Sequence, residues 1–268
     1  MGLMRAWGLA LVAATVAAPV AAQEWEVRTE DCDSSRGWGS DRERWCEVRT
    51  TAFGSSGRVD LDGGPNGGVE VTAWDRDEVS VVAHVWGRAD SEERAREIAR
   101  EVSIDVDGGR IRADGPRWHR DEGWGVSYEL RVPGRTDLDL STTNGGVRVG
   151  GVFGDIDLDT TNGGVELWDV GGDVRGHTTN GGVEVRLSGD RWNGDGLDVS
   201  TTNGGVVLAV PEGYSARLET GTTNGSIDLD FPITLRGRIG RRIETVLGDG
   251  GPTVRVRTTN GGVELIRR

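Results

Sequence analysis

DIDLDTTNGGVELWDV, residues 155 to 170, sets Ile156 and Leu158 before a Thr-Thr-Asn-Gly-Gly hinge and Val165 and Leu167 after it. An apolar residue at every second position is the periodicity of a strand with one buried face. The hinge returns at Thr142, Thr178, Thr201, Thr222 and Thr258, and a degenerate copy stands earlier at Pro65-Asn66-Gly67-Gly68. Its asparagines are therefore Asn66, Asn144, Asn162, Asn180, Asn203, Asn224 and Asn260. From Asn144 onward they are separated by 18, 18, 23, 21 and 36 residues. That is a unit of about 18 residues with small insertions, and the long interval reads as one coil lacking its hinge.

Asn-Gly also marks the turns of antiparallel hairpins, but a hairpin series does not explain why complete two-strand units match at a near-constant interval. Stacking each unit on the last does. The fold class expected is all-β, a parallel β-solenoid, right-handed in preference to left-handed, with coils about 4.8 Å apart and apolar ladders inside. In the hinge, Asn and Gly suit left-handed backbone angles, and stacked Asn amides suit a hydrogen-bonded ladder.

The 268 residues, 35% hydrophobic and 28% charged, describe a globular chain. Glycine at 44 against proline at 7 assigns the glycines to ordered turns rather than to linkers. Residues 1–22 have one Arg, an apolar run and Val20-Ala21-Ala22, the pattern of a secretory signal peptide. No later run approaches a membrane span and no Cys follows the signal for lipidation, so the mature chain is expected to be exported without membrane insertion. The formal charge of −13 argues against nucleic-acid binding.

The remaining divisions are a Trp-rich segment at 23–56, a first coil with a cap region at 57–131, and the repeat solenoid at 132–268. Cys32 and Cys46, a pair enclosing a short loop in an oxidising compartment, are expected to form one disulfide. Asp90 with Glu93 has capping-box spacing, and Ala95, Ile98, Ala99 and Val102 follow helical spacing, so residues 91–103 read as one amphipathic helix packed over an end of the solenoid. The terminal ELIRR reads as an edge strand guarded by its arginines.

From Val132-Pro133 through the repeated Thr-Thr-Asn-Gly-Gly-Val hinges, the chain resembles the bacterial putative-adhesin family of unknown function, the toastrack domains, whose units read t-x-N-G-x-[IV] before a strand. The resemblance covers most of residues 57–268. It implies a β-solenoid exposed on or outside the envelope, in adhesion or envelope-stress settings, and brings no catalytic residues.

Candidate chemistry is sparse. Asp139 and Asp157 on neighbouring coils could share a calcium ion through carboxylate oxygens, although the nonapeptide of calcium-binding β-helices is missing. No other cofactor is suggested. No G-x-S-x-G stands in the chain, no thiol remains after disulfide formation, and no His lies in a base motif. Trp38 and Trp45 in the cysteine loop, and Trp118 and Trp124 in GPRWHRDEGWG, are the candidate ligand-binding indoles. The expectation is thus a non-enzymatic interaction module whose partner is an envelope protein or glycan. The rival is a polysaccharide-active β-helix enzyme that uses outward carboxylates.

Overall fold

The computed structural model describes residues 24–30, 32, 42–117, 121–230 and 240–268. The signal-peptide reading of residues 1–22 falls outside them, as do Trp38 and Trp118. Each hinge joins two strands that go to different sheets. The strands before it, such as Asp137–Asn144, Phe153–Asn162, Gly171–Asn180 and Gly196–Asn203, lie parallel in a ten-stranded sheet. Those after it, such as Val147–Gly150, Val165–Trp168, Val183–Arg186 and Val206–Val210, lie parallel in an eleven-stranded sheet.

Register is held from coil to coil, with Asn on Asn and Val on Val, so the apolar positions stand on their equivalents, Gly176 and Thr220 taking two of the inward places. Leu138, Ile156, Val174, Leu197, Val254 and Leu218 are at most 2% exposed, and Val69, Val147, Val165, Val183, Val206 and Val263 face them from the other sheet. Two half-buried faces thus close on each other as one continuous apolar interior, and burial of these side chains is the main favourable term of the fold.

In space the coils run Asn66, Asn144, Asn162, Asn180, Asn203, Asn260, Asn224. Thr253–Asn260 pairs with Gly196–Asn203 on one side and Ala216–Asn224 on the other, and Val263–Arg267 lies between Val206–Val210 and Ile227–Leu229. The last coil in sequence is therefore inserted one place from the end. This corrects two expectations. The 36-residue interval is no hingeless coil: it contains Arg242–Leu247, which runs antiparallel along the outer edge of Ala216–Asn224 before the chain turns back. ELIRR is an interior strand, not an edge.

At the other end, Val69–Trp74 is followed in its sheet by the parallel Gly123–Pro133 and then by Glu78–Ala89, Glu43–Gly54 and Glu26–Glu30, all antiparallel. The helix Glu92–Glu101 lies on the inner face of these strands and buries Ala95, Ile98 and Ala99. A Cβ on Gly87 would fall 2.1 Å from the Ala95 carbonyl oxygen, so only glycine admits so close an approach. The N-cap is Ser91, whose side chain accepts from the Arg94 N–H, and not Asp90; the helix starts one residue later than the capping-box spacing suggests. Cys32 and Cys46 are joined by a disulfide, with Cα atoms 5.3 Å apart.

Candidate functional site

Three surfaces offer themselves: the hinge corner, the outer faces of the two sheets, and the opposite corner. At the hinge the first Thr is buried, and its hydroxyl donates to a glycine carbonyl of the adjacent coil, as from Thr160 to Gly145 and from Thr178 to Gly163 at 2.8 and 2.7 Å. Each Asn donates its amide to the next Asn oxygen. Asn162 to Asn144, Asn180 to Asn162, Asn203 to Asn180, Asn260 to Asn203 and Asn224 to Asn260 span 2.8–2.9 Å, and Asn144 to Asn66 is 3.1 Å.

The glycines are required for a reason other than left-handed angles. From Asn144 onward no hinge residue has positive φ. Instead, a Cβ on Gly163 would lie 2.0 Å from the Gly145 carbonyl oxygen, and one on Gly181 2.1 Å from that of Gly163. The second glycine has more room, 3.2 Å from Gly164 to the Gly182 oxygen, and Ser226 fills that place in one copy. This corner is a structural seam whose polar groups bond one another.

On the outer face of the ten-stranded sheet, one row reads Asp60, Asp139, Asp157, Arg175, Asp198, Arg255, Glu219 in spatial order. Asp139 and Asp157 are registered neighbours, about half exposed, and each faces an arginine: Arg58 is 3.3 Å from Asp139 and Arg175 is 3.8 Å from Asp157. Among the described residues no three His, Cys, Asp or Glu side chains converge as a metal-binding group. Arg255 reaches Asp198 at 2.9 Å and Glu219 at 2.6 Å. Its hydrogen bonds to Asp198, then Glu219, hold the guanidinium above its ordinary pKa. Arg257 joins Asp198 at 3.0 Å. Such a face is a lattice of fixed ion pairs, offering donors and acceptors in rows.

The indoles are arranged differently from the sequence-based expectation. Trp124 is buried at 6% exposure, packs on Gly115 and donates its Nε1–H to the Pro116 carbonyl at 3.0 Å, so it has no face to offer. Trp45 is half-buried against the core, and the Arg96 guanidinium stands 4.0 Å above its ring. Both belong to the main core at its capped end. One outward indole the sequence reading passed over is Trp168, half-buried on the outer face of the eleven-stranded sheet, with Gly150 and Arg186 as its registered neighbours. The signal was present: the slot after V-x-L holds Gly150, Arg186 and Ala209 in other coils, and an aromatic residue there stands beside a glycine.

The opposite corner carries a groove of about 450 Å³ bordered by Arg135, Asp137, Phe153, Asp155, Asp173 and Asn193. Asp137 accepts from the Asp155 N–H at 2.9 Å, and Asp173 is paired with Arg175. Two carboxylates of the row are thus already engaged.

The architecture defines a class: a two-sheet parallel β-solenoid with an apolar interior, a polar seam and ion-paired outer faces. Residues 135–265 match the family model described as Toastrack DUF4097, and this repeat region is a toastrack domain. No curated protein matches the chain. Among solved structures, a putative cell adhesion protein from Clostridium sporogenes is similar at 8% identity, covering 82% of this chain and 99% of its own, with a TM-score of 0.46. A putative adhesin from Bacteroides fragilis has 10% identity, 82% and 97% coverage and a TM-score of 0.42. A putative lipid binding protein from Parabacteroides distasonis has 8% identity, 81% and 96% coverage and a TM-score of 0.32. Among the described residues no helix is long and apolar enough to cross a membrane.

Proposed function

We propose that the chain is an exported, non-enzymatic interaction module of the cell envelope that holds an envelope protein or glycan on its outer faces. The observation that supports this most is the unbroken register of the stack, which sets rows of ion-paired side chains about 4.8 Å apart along the outer faces of the sheets. A long ligand meets rows of donors and acceptors at coil spacing, and many of the side chains that make them are already ordered by their ion pairs, which lowers the entropy cost of binding. Polysaccharide cleavage, the rival, needs two carboxylates free to act on opposite sides of one bond. In the corner groove Asp137 and Asp173 are held by a backbone N–H and a guanidinium, and Asp155 and Asp195 are the carboxylates left for such a role.

Co-sedimentation of residues 23–268 with envelope fractions and cell-wall glycans tests the proposal, run once with calcium and once with chelator. Saturable sedimentation with no release of reducing ends is the expected outcome. Dependence on calcium would bring the Asp139 and Asp157 row back as a metal site. Turnover of a glycan would replace the display reading with the enzymatic one.

A further inference from the structure

We propose that the indole of Trp168 is a stacking platform for a pyranose ring of a neutral polysaccharide; this rests on the display reading and names the class of ligand. The geometry of Gly150 carries the inference. A Cβ added there would lie 2.0 Å from Trp168 Cε2 and 2.3 Å from both Cζ2 and Nε1. The ring therefore lies across the backbone of the neighbouring coil, flat on the sheet, in space that any larger residue at position 150 would occupy. One face rests on Gly150 and the other points outward, in keeping with the half-buried state of the side chain. Flat indoles with one open face attract the weakly positive C–H groups on the underside of a sugar ring, and they bury apolar area at little cost in side-chain freedom.

The surroundings select the ligand. Glu166 lies two residues before Trp168 on the same outer face, and Arg186 is its neighbour on the next coil. Arg186 and Arg148 reach Glu166 at 3.1 and 3.4 Å, so these charges are held in place beside the ring and can both donate to and accept from hydroxyl groups. An apolar protein hot spot is built from clustered large side chains, whereas the registered neighbours of Trp168 are a glycine and an arginine. The formal charge of −13 repels polyuronates and other polyanions. A hydroxyl-rich, uncharged glycan satisfies all of these conditions. Round the corner, Phe153 lies over Gly171 in the same manner, with Cδ1 2.7 Å from the place a Cβ would take, at the border of the groove. Its half-buried ring is a second, smaller aromatic surface at that border.

The test is calorimetric and fluorescence titration of the protein with neutral hexasaccharides of glucose, mannose and galactose, with oligogalacturonate as the charged control. The wild type is expected to bind at least one neutral hexasaccharide, with a change in indole emission, and to bind the uronate more weakly. Trp168→Ala is expected to lose roughly tenfold or more in affinity and most of the emission change. Trp168→Tyr is expected to stay within roughly threefold, and Phe153→Ala to lose less than Trp168→Ala. Thermal melting of each variant separates lost binding from lost folding, and the Tyr variant remains informative if the Ala variant is unstable. Unchanged affinity in a folded Trp168→Ala, or preference for the uronate, overturns the inference. Absence of binding to every neutral hexasaccharide also overturns it, and leaves the display reading standing if envelope fractions still carry the protein down. Loss of both removes both.

Discussion

At the scale of single residues, the two glycines of one hinge are set apart by what stands opposite them. Gly163→Ala pushes a methyl to 2.0 Å from a backbone oxygen that cannot move without parting two coils, and is expected to cost about 3 kcal/mol. Gly164→Ala meets its oxygen at 3.2 Å, and the serine at the equivalent position 226 shows that a side chain fits there; a loss within about 1 kcal/mol is expected. Denaturant melts of the two variants check the contrast, and equal losses would refute the close-approach account. Tyr128 supplies a pH effect. Its phenol is buried with no partner for the hydroxyl, and burial, assisted by Asp62, holds its pKa above the ordinary 10.0. The folded state thus favours the neutral phenol. Stability is complete below the unfolded pKa of 10.0 and falls as the pH rises from there through the folded value. Tyr128→Phe is expected to shift alkaline unfolding to higher pH and to leave neutral-pH stability unchanged or raised by about 1 kcal/mol. Tyr214, whose pKa is raised by burial and by Asp190, acts in the same direction.

At the scale of elements, the helix Glu92–Glu101 illustrates how a cap is tied to a sheet. Its apolar stripe follows from Ala95, Ile98 and Ala99, but its ends are held by groups that no helical period reveals. Arg49, on the strand Glu43–Gly54, donates to the Ala99 and Val102 carbonyls at 2.7 and 2.5 Å and pairs with buried Glu47 at 2.6 Å. One guanidinium thereby satisfies the helix C-terminus and neutralises a carboxylate beneath it. Arg49→Ala strands that carboxylate and is expected to lose about 3 to 5 kcal/mol. Ser91→Ala is expected to lose about 1 kcal/mol and Asp90→Ala much less, since Ser91 makes the capping bond. Equal effects at the two positions, read by thermal melts, would restore Asp90 as the cap.

At the scale of the molecule, the order of coils departs from the order of the chain, and the inserted coil changes which charges meet. Stacked in sequence order, Asp198 and Glu219 would face each other as like charges. Inserting the last coil brings Arg255 between them and Arg257 onto Asp198. It also removes the chain end from the exposed edge, where an unpaired strand invites association. Arg255→Glu is expected to lower stability by about 1 kcal/mol, more at low salt because the pairs are partly exposed. Deleting residues 253–268 is expected to detach the Asn224 coil from the stack and to abolish a single cooperative transition, followed by circular dichroism and hydrogen exchange. A stack in sequence order would merely be shortened by one coil.

What the sequence alone determined is what lies within a few residues of itself. Alternation of Ile156, Leu158, Val165 and Leu167 specifies strands with one buried face; the recurrence of Thr-Thr-Asn-Gly-Gly specifies coils; and identical asparagines at one corner specify a ladder. The same reasoning made 91–103 a helix, because its stripe is a local pattern. Only the tertiary structure decided which coil lies beside which, why the first glycine must be glycine, and which tryptophans are buried and which stand on an outer face. Those outcomes depend on groups far apart in the chain: Arg255 between Asp198 and Glu219, Gly145 beneath Gly163, and Pro116 and Gly115 closing over Trp124 while Gly150 leaves room for Trp168 to lie flat. A linear period carries no information about such encounters, since they are settled by the charge, volume and backbone clearance of whichever residues the stack brings together.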